Sequence, residues 1–154
     1  MDTNHSADLA QLFASCKLGK RFSAPECAAI AQHLESRSYV KGQSVFVQGD
    51  SGDFMAFVTQ GVVEVIKDIS KTRDTIIIIL GPGNNFGELS FMDGEPRSAS
   101  VLAREDVSLL LLHKDRFQTM AKEHPNEAFK FLKQLAVYIS KRLRLTTKEL
   151  VYRA

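Results

Sequence analysis

The sequence has no tryptophan, two cysteines among its 154 residues, and no apolar run that approaches the length of a membrane span. A transmembrane helix needs about 20 consecutive apolar residues. The N-terminus from Met1 to Asp8 is polar and lacks the apolar segment of a secretion signal. Cys16 and Cys27 show no metal-binding spacing. We therefore expect no membrane association, and we expect the protein to reside in a reducing cytoplasm.

Excess charge of one sign is also missing. The 20 basic and 18 acidic residues leave a net charge of +2, so the overall charge does not indicate nucleic-acid binding. The basic residues between Lys141 and Arg153 fit the solvated face of a helix. Residues 1–154 match the size of one domain. The sequence ends shortly after the last predicted helix, so we expect no DNA recognition by this chain alone.

Residues 7–37 have a helical pattern. Leu9 and Phe13 recur at helical spacing, and Ser23 followed by Glu26 resembles a capping box that opens a second helix. These residues predict a pair of N-terminal helices.

Between residues 38 and 112 the pattern changes to short runs of Val, Ile and Phe that are separated by glycine-containing turns. Many short strands of this kind indicate an antiparallel sandwich or barrel. The segment Thr75–Leu80 is continuously apolar, which predicts a strand buried on both faces.

The helical pattern returns over residues 114–152, with a short helix from Lys114 and a longer one that begins at Pro125. The long helix carries one apolar stripe, formed by Phe129, Leu132, Leu135, Ile139, Leu143 and Leu150. Because the stripe is narrow and close to a seven-residue repeat, it is typical of a helix that pairs with a partner helix, which here would form a homodimer. Packing on its own domain is the alternative, and one helix can do both.

The segment from Gly81 to Val101, GPGNNFGELSFMDGEPRSASV, carries the chemistry. Its glycines do not fit a dinucleotide-binding fingerprint, because the spacing is one residue too long and Gly94 and Pro96 interrupt the helix that should follow. What remains is a short helical turn, Gly87 to Phe91, followed by an arginine and two serines.

Such a turn offers backbone amides to an anion, and Arg97 can fork onto two phosphate oxygens, with a further hydrogen bond from Ser98. A phosphate would repel Glu88, so this carboxylate should face a donor such as a sugar hydroxyl. The pattern thus favours a sugar phosphate. The alternative is an exposed Glu88–Arg97 ion pair beside a tight loop.

The stretches Phe86–Ser90 (FGELS) and Pro96–Ser100 (PRSAS) resemble the phosphate-binding cassette of cyclic nucleotide-binding domains. Residues 40–46, 49–53 and 61–65 are similar to the glycine-marked turns of that family's β-roll. The resemblance covers residues 20 to 150 approximately. It implies an α+β fold, in which an antiparallel β-roll, jelly-roll-like and barrel-shaped, is flanked by N-terminal helices and a long C-terminal helix.

The resemblance also implies a cassette at residues 86–100 and a set of ligand-binding residues, namely Phe86, Gly87, Glu88, Leu89, Ser90, Arg97, Ser98, Ala99, Thr146 and Thr147. By this comparison Gly87 lets the backbone approach the ligand, Glu88 accepts from the ribose 2′-hydroxyl, and Arg97 pairs with the cyclic phosphate. Thr146 would reach the base in its own subunit, and Thr147 would reach across a dimer.

The serine after the arginine, with the two threonines, resembles the cyclic AMP pattern more than the cyclic GMP pattern. Cyclic AMP is therefore the expected ligand and cyclic GMP the alternative. The intact Glu88 and Arg97 argue against a cyclic dinucleotide. The resemblance implies a sensor that acts on an effector protein or a further effector domain. A dimerisation or docking module that does not respond to ligand is the alternative.

Enzyme activity is not expected, and neither is a cofactor or a metal ion. The histidines (His5, His33, His113 and His124) are scattered without metal-binding spacing. Packing accounts for His33, both cysteines, and the phenylalanines Phe46, Phe57, Phe117, Phe129 and Phe131. Phe91 either shields the phosphate from water or staples the turn.

Overall fold

The N-terminal helices form as the sequence predicts. A computed structural model describes residues 3–69 and 74–153 of the chain. Helix α1 (Thr3–Ser15) leads through a 3₁₀ turn (Gly19–Arg21) to α2 (Ala24–Ala31). The capping box is confirmed, because the Ser23 hydroxyl accepts from the Glu26 amide while the Glu26 carboxylate accepts from the Ser23 amide.

The helical region ends earlier than residue 37. Strand β1 (Glu35–Tyr39) pairs antiparallel with β8 (Val107–His113), with Glu35 opposite Leu111. The prediction was wrong here because the side chains of this strand are exposed up to Tyr39, so the sequence shows no apolar alternation. Residues 35–39 form a strand through backbone pairing with β8. The pattern of side chains in the sequence does not reveal this pairing.

Two four-stranded antiparallel sheets make up the centre of the fold. The first has the order β1-β8-β3-β6 and the second the order β2-β7-β4-β5. Their remaining strands are β2 (Ser44–Phe46), β3 (Phe54–Gln60), β4 (Val63–Ile69), β5 (Asp74–Leu80), β6 (Asn85–Phe86) and β7 (Ser100–Ala103). The α+β β-roll is confirmed, although the two sheets are not closed into a barrel.

The central strands of the first sheet, β3 and β8, are buried on both faces. Side chains alternate along a strand, so Met55 and Phe57 of β3 face the helices, while Ala56 and Val58 face the second sheet. Strand β8 divides its leucines in the same way. The helices, the first sheet and the second sheet therefore form three layers with two apolar cores.

Strand β5 was predicted to be buried on both faces, and this prediction was wrong. It is the edge strand of the second sheet, where Ile77 is 57% exposed and Ile78 and Ile79 are also exposed. A continuous apolar run therefore does not show by itself that both faces are covered.

The C-terminal helices are α4 (Lys114–Glu123) and α5 (Pro125–Arg153), which confirms Pro125 as the start of the longer one. The predicted apolar stripe of α5 splits in two. Leu135 is buried against the domain, whereas Phe129 is 70% exposed and Leu143 is 66% exposed. Phe129 is thus not a core residue, and the side chain of Leu150 lies outside the described residues. Across the described residues, no helix has the length and apolarity needed to span a membrane.

Candidate functional site

One cavity collects eight of the predicted site residues. It lies between the second sheet, helix α3 (Glu88–Asp93) and α5, and it contains about 640 Å³ of empty space that includes its opening to solvent. Its lining includes Phe86, Gly87, Glu88, Leu89, Ser90, Arg97, Ser98 and Ala99. The cassette therefore folds around a single cavity.

Gly87 precedes α3 as its N-terminal cap, in a backbone conformation that residues other than glycine rarely adopt. Its φ is +79°, and a Cβ atom there would lie 2.8 Å from Arg97 Nη1. Gly52 is required by the same packing, because a Cβ at this position would lie 2.3 Å from the Ser90 Cβ. The sequence showed Gly52 only as a turn residue. These two glycines let the backbone close tightly around Arg97.

Arg97 is 3% exposed and its guanidinium is fixed in place. Nη1 donates to the Gly87 carbonyl at 3.0 Å, and Nη2 donates to the Phe54 carbonyl at 2.6 Å. The guanidinium carbon lies 3.9 Å from the centre of the Phe46 ring and 4.8 Å from that of Phe54. Burial lowers the pKa of Arg97, but an arginine keeps its positive charge in proteins. The cavity therefore holds a rigid cation.

Glu88 places a buried acceptor atom in the cavity lining. Its Oε2 atom is buried without a hydrogen-bond partner. Burial raises the pKa of Glu88, and the charge of Arg142 acts in the opposite direction. The alternative of an exposed Glu88–Arg97 ion pair does not hold, because Arg97 is buried and its Nη atoms donate to backbone carbonyls.

Asn85 is a third polar residue in the cavity, and the sequence did not reveal it. It is 3% exposed, and its Nδ2 atom has no hydrogen-bond partner. Among the described residues, the buried side-chain polar atoms without a partner are Asn85 Nδ2, Glu88 Oε2 and Arg97 Nε. All three residues line the same cavity. Since buried polar groups normally have partners, this arrangement is typical of a ligand site.

Helix α5 closes one side of the cavity through Tyr138 and Arg142, neither of which was among the predicted site residues. Their side chains are adjacent, with the Arg142 guanidinium 5.8 Å from the Tyr138 ring. The opposite wall is apolar and comes from Val65, Ile78 and Leu80 of the second sheet.

The cavity lining does not include the two predicted threonines. Both are exposed, and their hydroxyls donate to carbonyls one turn earlier in α5, Thr146 to Arg142 at 3.0 Å and Thr147 to Leu143 at 2.9 Å. Their contact with a base stays a prediction.

Phe91 does not line the cavity. Its side chain is buried between α3 and α4, where the centre of its ring lies 5.7 Å from that of the Phe117 ring in an edge-on arrangement. Of the two roles considered for this residue, the structure supports the staple that fixes the short helix.

A second polar cluster forms where α4 meets α5. His33 and His124 come together with Glu123, and this set has the spacing of metal ligands. Arg116 Nη2 donates to His33 Nδ1 at 3.3 Å, so the proton of neutral His33 is on Nε2, which then donates to His124 Nδ1 at 3.2 Å. Because this Nε2 has no free lone pair for a metal, the cluster is better described as a hydrogen-bonded contact.

Sequence and structure comparisons with known proteins all point to one domain family. A family profile described as the cyclic nucleotide-binding domain matches residues 36–124. The chain is 34% identical over 128 residues to the cyclic AMP receptor protein of Thermus thermophilus, covering 82% of this chain and 57% of that protein. It is 36% identical over 92 residues to the cAMP-dependent protein kinase regulatory subunit of Yarrowia lipolytica, covering 60% of this chain and 23% of that protein.

Among solved structures, a cyclic nucleotide-binding domain from Methylobacillus flagellatus superposes with a TM-score of 0.82 at 24% identity, covering 98% of this chain and 85% of that one. This likeness concerns the fold. The chain spans little more than half the length of the Thermus protein and about a quarter of the Yarrowia protein.

Proposed function

Because the chain belongs to the cyclic nucleotide-binding domain family, we propose that it is a sensor module that binds a cyclic nucleotide, with cyclic AMP preferred to cyclic GMP. The module itself is not an enzyme. It couples the occupied site to the position of α5, and through α5 to a second copy of the chain or to an effector.

The observation that carries this proposal is the set of three buried polar atoms without partners in one cavity, Arg97 Nε, Glu88 Oε2 and Asn85 Nδ2. A ligand that satisfies them must offer an acceptor beside a cation and a donor beside a carboxylate. A cyclic phosphate joined to a ribose hydroxyl has both groups within one rigid ring system.

The three parts of the ligand have separate places. The phosphate accepts from Arg97 and Ser98, and the ribose 2′-hydroxyl donates to Glu88. The base lies on the apolar wall that includes Val65 and Ile78, below Tyr138. A planar base on an apolar wall also accounts for the exposure of Ile78 in the free protein, because the base would cover it.

The preference for cyclic AMP rests on the resemblance of Ser98, Thr146 and Thr147 to the cyclic AMP pattern. It is supported by the relatives named as a cyclic AMP receptor protein and a cAMP-dependent kinase subunit. The threonines reach the base only if α5 moves toward the cavity or pairs with a second copy.

The proposed coupling between ligand binding and the pairing of α5 is supported by the two faces of this helix. Tyr138 and Arg142 line the cavity, while Phe129, Ala136 and Leu143 are exposed at seven-residue intervals on the helix. Such a repeat suits pairing with the same helix of a second copy. A ligand under α5 shifts this pairing only through its different affinity for the two positions of the helix.

The experiment is isothermal titration calorimetry with cyclic AMP, cyclic GMP and linear AMP. We expect one cyclic nucleotide per chain, cyclic AMP bound more tightly than cyclic GMP, and linear AMP bound much more weakly. Tighter binding of cyclic GMP would overturn the base preference alone. If a folded, ligand-free sample shows no heat with any of the three, the sensor function is refuted.

The exposed face of α5 also favours a second function, that of a dimerisation or docking module that ignores nucleotides. Sedimentation of the protein and of a Leu143→Glu variant, each with and without cyclic AMP, separates the two functions. A dimer that Leu143→Glu dissociates and that cyclic AMP leaves unchanged in mass and shape would support the docking module.

A further inference from the structure

Asn85 occupies a position where its side chain has little freedom. It belongs to β6, which pairs with β3 through Phe57 opposite Asn85 and Ala56 opposite Phe86. The preceding turn is tied to β3 as well, because the Val58 amide donates to the Asn84 carbonyl at 2.8 Å. The backbone therefore holds the Asn85 amide group in the cavity wall.

Asn85 Nδ2 and Glu88 Oε2 are complementary. Both atoms are buried without a partner, one is a donor and the other an acceptor, and both residues line the cavity. Burial is the main influence on the pKa of Glu88 and raises it, while the Glu88 backbone amide, the charge of Arg142 and a hydrogen-bonding interaction with the Asn85 side chain lower it. The two side chains are thus neighbours, and each leaves a hydrogen-bonding position open.

A hydroxyl group fits this pair because it donates one hydrogen and accepts on its lone pairs. Neither an ether oxygen nor a methylene group can do both. One ligand hydroxyl that donates to Glu88 and accepts from Asn85 would satisfy both buried atoms at once.

We infer that Asn85 is a specificity-determining residue that donates to the same ribose 2′-hydroxyl that donates to Glu88. This inference rests on the proposed function. It makes the site selective for ribonucleotides, since a 2′-deoxy ligand would leave both the donor and the acceptor buried without a partner.

The test compares cyclic AMP with 2′-deoxy cyclic AMP on the intact chain and on Asn85→Leu, which is similar in size and removes the donor. We expect Asn85→Leu to weaken cyclic AMP binding about fivefold, the usual effect of one neutral hydrogen bond. Binding of the 2′-deoxy analogue should stay within about twofold, because that ligand offers Asn85 no acceptor. The preference for the ribonucleotide should therefore fall.

Asn84→Ala is the matched control. Asn84 is the adjacent residue, but it accepts from Lys17 Nζ at 2.9 Å and donates to the Gly81 carbonyl at 3.0 Å, and it does not line the cavity. Its loss should change both affinities by the same factor. Asn85→Ala, which adds no bulk, provides the same comparison if Asn85→Leu fails to fold.

An equal loss for the two nucleotides in the Asn85 variants, or no loss for either, would overturn the role of Asn85 while leaving the sensor function intact. Failure of the unmodified protein to bind either nucleotide would overturn both. A melt without ligand gives a second readout. An asparagine kept for the ligand should be replaceable by leucine without loss of stability, whereas a structural asparagine should not.

Discussion

Glu88→Gln should make the free protein more stable while it weakens ligand binding. The Glu88 carboxylate is buried, and its Oε2 atom has no hydrogen-bond partner. A buried acceptor without a partner costs about 1–3 kcal/mol, and an ionised one costs more than a neutral one. Because glutamine has nearly the same shape and no charge, we expect the free energy of unfolding to rise by about 1–2 kcal/mol at pH 7.

In a chain of this size, this change corresponds to a melting temperature roughly 2–8 °C higher. The effect should depend on pH. Burial raises the pKa of Glu88 in the folded state, so the protonated form favours folding. The stabilisation from protonation is complete below the unfolded pKa of about 4.3 and is lost as the pH rises through the folded pKa. Glu88→Gln removes this dependence, so its advantage should shrink toward pH 4.

Affinity should change in the opposite direction. An ionised carboxylate accepts a hydrogen bond from a ribose hydroxyl more strongly than an amide oxygen does. Glu88→Gln should therefore weaken cyclic AMP binding about fivefold to thirtyfold, because charged hydrogen bonds exceed neutral ones by roughly 1–2 kcal/mol. Binding to the unmodified protein should weaken for the same reason when the pH falls through the folded pKa of Glu88.

Urea denaturation and calorimetry on the same samples measure both effects, with Glu95→Gln as the matched control. Glu95 is exposed and lies in the connection between α3 and β7, outside the cavity. The control should leave stability and affinity unchanged. If Glu88→Gln destabilises the free protein, the carboxylate contributes to the folded chain more than its unpartnered Oε2 atom costs, and the reasoning from that atom is refuted.

Three further changes probe the surroundings of the site. Arg97→Ala should lower the free energy of unfolding by about 3–5 kcal/mol in urea denaturation, because two partly buried carbonyls lose a charged donor. Where the variant is folded, a loss of affinity below threefold would contradict the phosphate contact. Gly87→Ala should cost more than Gly94→Ala, since both have positive φ but only Gly87 has Arg97 Nη1 at 2.8 Å from its Cβ position; equal melting temperatures would contradict this. Burial, followed by the charge of Arg116, lowers the pKa of His33, so stability should be lost as the pH falls below about 6.5. The His33→Gln variant should lose less stability than the unmodified protein as the pH falls, which pH-dependent melts measure. Parallel melting curves for the two proteins would show that His33 does not cause this loss.

The helices and the cassette could be predicted because their signals are local. The Ser23 capping box, Pro125 at the start of α5 and the glycines of the cassette each act over a few residues. Burial of the strands could not be predicted in the same way. The leucines of β8 and the isoleucines of β5 are equally continuous in sequence, but β8 lies between two strands and two cores, whereas β5 is an edge strand. Only the order of strands in the sheet distinguishes them.

The cavity, too, could be predicted from local sequence only in part. The residues of the cassette are contiguous in sequence and could be assigned together by resemblance. The partners that decide what Arg97 can do come from elsewhere, namely the Phe54 carbonyl and the Phe46 ring, 43 residues away for the hydrogen bond. Asn85 carried no sequence signal, because an asparagine beside a turn usually serves the turn. Its unpaired Nδ2 became visible only in three dimensions.

The arrangement of the site also limits how a signal can leave it. Arg97 is already bonded to two backbone carbonyls and held between two rings, so a phosphate bound as proposed would meet a preformed cation and would have little to rearrange there. The side that can respond is α5, where Tyr138 and Arg142 line the cavity on a helix that is exposed over residues 140–148. A ligand held by the cassette alone would bind without signalling, because it would have equal affinity for every position of α5. Under the proposed function, recognition of phosphate and ribose would therefore provide affinity, and contacts of the base with Tyr138 and Arg142 would provide the difference in affinity from which a response must come.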